Sequence, residues 1–284
     1  RRSEILLRWK AVFVDLKGIE MKKLLILLVL FAAGCGGRVD VDALILEINS
    51  SGKITDEQAE SLSKVEELHL DGLTSITDQQ AESLSKVKGL ALGLTTITDE
   101  QAESLSKIEA FKLDGLTTIT DEQAESLSKV GRLYLNGLTS ITDKQAEILS
   151  KVEYRLDLNG LTSITDKQAE SLSKVEYRLF LNGLTTITDS QAESLSKIET
   201  LGLSGLTSIT DEQAESLSKV EDLSLNGLTT ITDKQAEILS KVKTLFLNGL
   251  RSISDEQAES LSKVKKWLYL SEACQPQIAK YRKR

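Results

Sequence analysis

One histidine, a recurring series of aspartates, two cysteines and three evenly placed arginines are the residues whose types could do chemistry. His69 is the only histidine. General acid–base work needs a nucleophile or a mobile proton within hydrogen-bond reach, and His69 stands alone between Leu68 and Leu70 at what reads as an exposed strand position. It is assigned no role. Asp56, Asp78, Asp99 and Asp121 recur in register and could form a cation ladder. Each follows a threonine at a helix start, however, where an acid suits the positive end of the helix dipole. No metal site, no cofactor and no enzymatic activity are expected.

Arg132, Arg155 and Arg178 are different, because they break an otherwise uniform pattern in three consecutive repeats. Stacked like charges repel, and that cost in an acidic chain calls for a reason. Guanidinium groups present paired donors that match carboxylate, sulfate or phosphate oxygens, while Tyr134 and Phe180 beside them add flat, rigid contact surface. Asp157 and Glu176 would absorb part of the positive charge. The expected ligand-binding surface is therefore Arg132, Tyr134, Arg155, Asp157, Arg178 and Phe180, with Phe246 and Tyr269 as an apolar extension. An acidic peptide or acidic glycan would fit it.

The element that must position these residues is a unit of about 22 residues, seen at Val65–Lys86 as VEELHLDGLTSITDQQAESLSK and repeated with small changes about ten times. Leu68 and Leu70 flank a variable residue as a short strand does, and Asp71-Gly72 supplies a turn. Thr77 and Gln80 have capping-box spacing, and Ala81 and Leu84 give the following helix a narrow apolar stripe. Such a coil buries too little to fold alone, so Val65, Leu68, Leu70, Leu73, Ile76, Ala81 and Leu84 must meet their copies in neighbouring coils. Glu82 and Lys86, four apart, read as an ion pair along the helix exterior. The fold class is α/β, a solenoid with a parallel sheet on a concave wall and short helices on the convex one. The side chains between and just before the strand leucines then point outward onto that wall.

Full coils begin at Val65, Val87, Ile108, Val130, Val152, Val175, Ile198, Val220 and Val242, with a last strand after Val264. The 21-residue coil lacks the residue before Gly93. The two 23-residue coils add one in VEYRLDL and VEYRLFL, a length change read as strand-end tolerance. Residues 43–270 form the solenoid, opening on an imperfect coil from Ala43 in which Ile48 holds a core position, and residues 271–284 form a C-terminal cap that also houses Cys274.

The pattern Val65-x-x-Leu68-x-Leu70, followed by a return through a helix, resembles leucine-rich repeats. The resemblance implies a horseshoe that binds proteins or other ligands on its concave wall. Where that family has an asparagine ladder, this chain has Leu73, Leu94 and Leu116 followed by Thr74, Thr95 and Thr117, and the stacked threonines are expected to bond the turn backbone instead.

Residues 1–20 precede the only methionine, Met21, read as the true start. Lys22-Lys23, the apolar run Leu24–Ala33 and Gly34-Cys35 then have the order of an export signal over 21–34, and Ala32-Ala33-Gly34-Cys35 resembles the lipobox of bacterial lipoproteins. That resemblance implies lipid attachment at Cys35, followed by a linker over 35–42. A pairing of Cys35 with Cys274 is excluded by their positions at opposite ends of a rigid array. The formal charge is −8 overall, and residues 1–34 are basic, so the array is more acidic still. Binding of the array as a whole to nucleic acid or to an anionic membrane is therefore not expected. The reading is an exported, lipid-anchored monomer on the bacterial cell envelope that binds an unknown protein, peptide or glycan, with a ligand-free structural spacer as its rival.

Overall fold

The computed structural model describes residues 40–282. The expected start at Met21, the export signal and the lipidated Cys35 lie outside the described residues. Ten short strands form one parallel sheet in strict chain order, and a seven-residue helix precedes each of them. Strands β1 (Glu67–Leu70) to β10 (Trp267–Leu270) are three or four residues long. These coils are a leucine-rich-repeat solenoid. Leu68, Leu70, Leu73, Ala81 and Leu84 and their equivalents are buried in one continuous core, with Val65 and Ile76 packed at its margin. Phe111 takes a strand leucine position and is fully buried.

The helix starts carry the expected capping box. In the coil from Val152, the Gln168 backbone N–H donates to Thr165 Oγ1 at 3.1 Å, and the Thr165 N–H donates to Gln168 Oε1 at 2.9 Å. The glutamine also reaches across the coil boundary, where its Nε2 donates to the Ile141 carbonyl of the preceding coil at 2.8 Å. The same bond recurs from Gln80 to Ile54, from Gln123 to Ile97 and onward to Gln257 and Ile231. The cap hydroxyls point back too: Thr188 Oγ1 donates to Asp166 and Thr210 Oγ1 to Asp189. The aspartates of the recurring series thus serve both a helix start and the next coil's cap.

Three expectations about local bonding change. An asparagine ladder is present, two residues ahead of the leucines taken for its place: Asn136 Nδ2 donates to Asp114, Asn159 Nδ2 to Asn136, and the Asn182 N–H to Asn159 Oδ1. The residue missing before Gly93 is the ladder residue itself, so the ladder starts afresh at Asp114. Thr74, Thr95 and Thr117 are exposed. The asparagine amide reaches the turn because it sits beside it, whereas the threonines have already left it. Glycine follows each ladder residue because a Cβ on Gly160 would strike the carbonyl oxygens of Asn136 and Leu138. Finally, Lys86 pairs with Glu60 of the preceding coil at 3.1 Å rather than with Glu82, since neighbouring helices lie within a side chain's length.

A helix packs at each end of the array, against β1 at one end and against the last repeat helix at the other. Where the repeat would place a strand in the coil from Ala43, the chain forms helix α1 (Val41–Ser51), started by the Asp40 side chain and ended by Gly52 in the left-handed conformation. It buries Leu44 and Ile48, and its Asn49 donates to the His69 carbonyl on the outer edge of β1. At the far end a short helix at Gln275–Tyr281 buries Ile278, and Cys274 is a fully buried free thiol. The described residues thus hold one continuous core with a helix packed at each end.

The glutamine's triple role makes it a structural requirement. Gln168→Ala strips partners from the Thr165 N–H and the Ile141 carbonyl, and is expected to cost about 2–4 kcal/mol. Thr162→Ala, an exposed turn position, should stay within about 0.5 kcal/mol. Urea unfolding checks this, and equal midpoints for the two variants would remove the cross-coil role.

Candidate functional site

The strand wall is built from two outward rows fixed by sheet register. Arg132 pairs with Arg155 and Arg155 with Arg178, while Tyr134 pairs with Asp157 and Asp157 with Phe180. The three arginines are thus side-chain neighbours across β4 (Arg132–Tyr134), β5 (Arg155–Asp157) and β6 (Arg178–Phe180).

The sheet tolerates them because two are neutralised. Asp157 lies two residues along the same strand from Arg155 and so on the same face. Arg155 Nε donates to Asp157 Oδ1 at 2.8 Å and Nη2 donates to Oδ2 at 2.9 Å. The guanidinium lies between two rings, 5.0 Å from the Tyr134 centroid and 4.3 Å from that of Phe180. Gly202 in the next strand makes room for Phe180, since a Cβ there would strike its ring. Asp157 is buried, and burial pushes its carboxyl above the usual range against the opposing pull of Arg155. Arg132 pairs with Glu109 at 3.1 Å. Arg178 is exposed and makes no ion pair among the described residues.

Two tyrosines complete the site. In the two 23-residue coils Glu153-Tyr154 and Glu176-Tyr177 stand where the coil from Val130 has Gly131 alone. Arg155 and Arg178 keep register in the sheet, so Tyr154 and Tyr177 stand in line with Gly131 just ahead of the strand and the added length falls before them. The Gly131 carbonyl accepts from the N–H groups of both Tyr154 and Arg155, at 2.9 Å and 3.2 Å. Gly131 also clears the way for the ring, because a Cβ there would lie 3.1 Å from Tyr154 Cδ2. The tyrosine rings stack at 5.9 Å with an interplanar angle of 22°. They remain 44% and 39% exposed.

Together these side chains line an open depression of about 530 Å³. Its lining is Arg132, Tyr134, Arg155 and Arg178 together with Tyr154, Tyr177 and Glu199. Asp157 and Phe180 support it through Arg155. Phe246 and Tyr269 stand apart nearer the C-terminal end, stacked at 4.3 Å with their planes 1° from parallel. Sequence reasoning missed Tyr154, Tyr177 and Glu199. The signal was residue type: just ahead of the strand other coils carry Glu66, Lys88, Glu109, Gly131 or Glu221, and these two carry tyrosine. His69 is exposed at the opposite end of the sheet. No cluster of three or more metal-ligating side chains occurs among the described residues.

Arg155 is a framework residue as much as a contact residue. Replacing it with methionine strands a buried carboxylate. Breaking a buried pair costs about 3–5 kcal/mol, and because Arg155 is partly exposed about 2 kcal/mol is expected near neutral pH. Without the arginine, burial raises the Asp157 pKa unopposed. A carboxyl raised in the folded state costs stability above that value and costs nothing below its unfolded value, so the penalty should shrink as pH falls through the carboxylate range. Unfolding midpoints of Arg155→Met and wild type across that range check the sign; a gap that widened in acid would refute it.

No protein-family model and no curated protein matches the sequence. Among solved structures, the chain is similar to an internalin of Listeria monocytogenes, with 13% identity over 84% of this chain and 91% of that one at a TM-score of 0.36. It is also similar to a chain of the Toll–Spätzle complex of Drosophila, with 13% identity over 73% of this chain and 36% of that one at a TM-score of 0.47.

Proposed function

We propose that this protein is a binding module whose ligand lies on the strand wall across β4 to β6. The observation that carries the proposal is the escape of Tyr154 and Tyr177 from an otherwise uniform frame, beside the one arginine of the row that has no ion-pair partner. Repetition dictates nearly every other polar residue, but nothing in the frame needs an outward tyrosine pair or an unpaired Arg178. Stacked tyrosines offer a large, rigid face at low entropic cost, and aromatic residues with arginine are typical of interface anchors.

The charge arrangement narrows the ligand. Arg155 is committed to Asp157 and Arg132 to Glu109, so the expected arginine stripe contracts to a single available guanidinium. The ligand is an extended peptide segment of a protein partner, with one carboxylate opposite Arg178 and an apolar or ring-bearing side chain on the tyrosine pair. Phe246 and Tyr269 lie along the same wall and extend the contact surface for a longer segment. An address on the envelope, reached by export and attachment through Cys35, belongs to this reading. No helix among the described residues is long and apolar enough to cross a membrane.

The chain from Arg38 onward, assayed against a peptide library graded in acidity, tests the site. Arg178→Glu should weaken the best acidic binder at least tenfold and reduce its salt dependence, and Tyr154→Ala/Tyr177→Ala should weaken it similarly. All of these residues face solvent, so unfolding midpoints should hardly move. Binding that survives both variants would place recognition elsewhere, and a wild-type protein that binds no member would favour the structural spacer.

A further inference from the structure

The C-terminal coil differs in charge from the rest of the molecule. Residues 263–284 carry seven Lys/Arg against one Glu, in a chain whose formal net charge is −8. Elsewhere several lysines are tied to the preceding coil, as Lys129 is to Glu103, Lys151 to Glu125 and Lys241 to Glu215, and those that are not, such as Lys107 and Lys174, stand among the acidic side chains of their own coils. In the terminal coil only Lys280 is held, by Asp255. Lys263, Lys265, Lys266 and Arg282 are exposed and make no ion pair among the described residues. The same coil presents Trp267, 57% exposed, and Tyr269, 42% exposed. Trp267 has a neighbouring strand on one side only, because β10 ends the sheet. The outer edge of β1, by contrast, meets a cap helix whose charged side chains, Asp42 and Glu47, are acidic.

From this juxtaposition the geometry points to the terminal coil as a docking tip for an anionic phospholipid surface, with Lys265 and Lys266 toward lipid phosphates and Trp267 and Tyr269 at headgroup depth. Basic side chains near such a surface attract it with about 1 kcal/mol each, and indole and phenol rings favour the boundary between headgroup and acyl chain. The acidic coils do not forbid this. At physiological salt charges are screened over about 8 Å, less than two coils at about 4.8 Å each, so the surface senses the tip and little behind it.

A second copy of the chain fits less well. The lysines that hold Glu103, Glu125 and Glu215 already neutralise part of its acidic flank, and a folded partner needs a shaped pocket for the indole where a bilayer boundary needs none. The inference is independent of the ligand at β4 to β6 and of any lipid on Cys35.

Trp267 is the only tryptophan after Arg38, so it reports its own environment in protein made from that residue onward. Phosphatidylcholine vesicles containing phosphatidylglycerol should shift its emission to the blue and co-sediment the protein, while phosphatidylcholine vesicles alone should do neither. Lys265→Glu/Lys266→Glu should weaken binding at least about tenfold, and salt should abolish it. Trp267→Phe should lower affinity without removing the charge dependence. Arg178→Glu should leave vesicle binding intact, which separates this tip from the wall site. Equal affinity for both vesicle types, or no binding to either, would overturn the proposal. So would concentration-dependent self-association that Lys265→Glu/Lys266→Glu abolishes in the absence of lipid.

Discussion

Every coil of this protein must dispose of backbone polar groups that its own few residues cannot satisfy, and one side chain does most of that work. A seven-residue helix leaves a large share of its N–H and C=O groups unpaired. The glutamine at the third helical position covers the cap N–H with its oxygen and the preceding coil's isoleucine carbonyl with its nitrogen. A single residue thus ends one coil's deficit and begins the next coil's helix. Asparagine does the corresponding work on the turn side, and the buried leucines between the two polar lines supply the apolar contact. Because the glutamine line runs from Gln80 to Gln257 and the asparagine line from Asp114 to Asn248, coils are held in register by directional bonds as well as by packing.

That division of labour leaves the outward strand positions free to differ. They supply none of the core leucines, so coils can carry Lys112, Tyr134, Asp157, Phe180 or Gly202 on the same frame, and a few reach the ladder, as Ser224 does to Ser204 and Asn226. The freedom has a limit set by electrostatics. Three adjacent arginines coexist because Asp157 and Glu109 neutralise two of them and rings cover the middle one. The burial of Asp157 ties this surface detail to stability, so part of the wall has become framework. What remains uncommitted is Arg178 with the tyrosine pair.

The solenoid, its coil boundaries, the capping boxes and the two outward rows were legible in the sequence. All follow from local spacing, repeated ten times over until chance is excluded. The polar ladder was misplaced because its position is decided by how near a side chain lies to the next coil's turn, and the asparagine before the glycine is nearer than the threonine after it. The lysine pairing failed for a similar reason: spacing along a helix made Glu82 the partner of Lys86, while packing between helices brought Glu60 closer.

By itself, then, the sequence determined what each coil is and which residues face outward, because periodicity and backbone geometry are properties of a segment. Only the tertiary structure decided which outward residues belong together. Tyr154 and Tyr177 look like tolerated length variation until the sheet holds Arg155 and Arg178 in line and sets the two rings side by side ahead of the strand. Arg155 and Arg178 look equivalent until Asp157 closes on one and nothing closes on the other. Both outcomes depend on distances across coil boundaries, set by the rise from strand to strand, and no reading along the chain contains them.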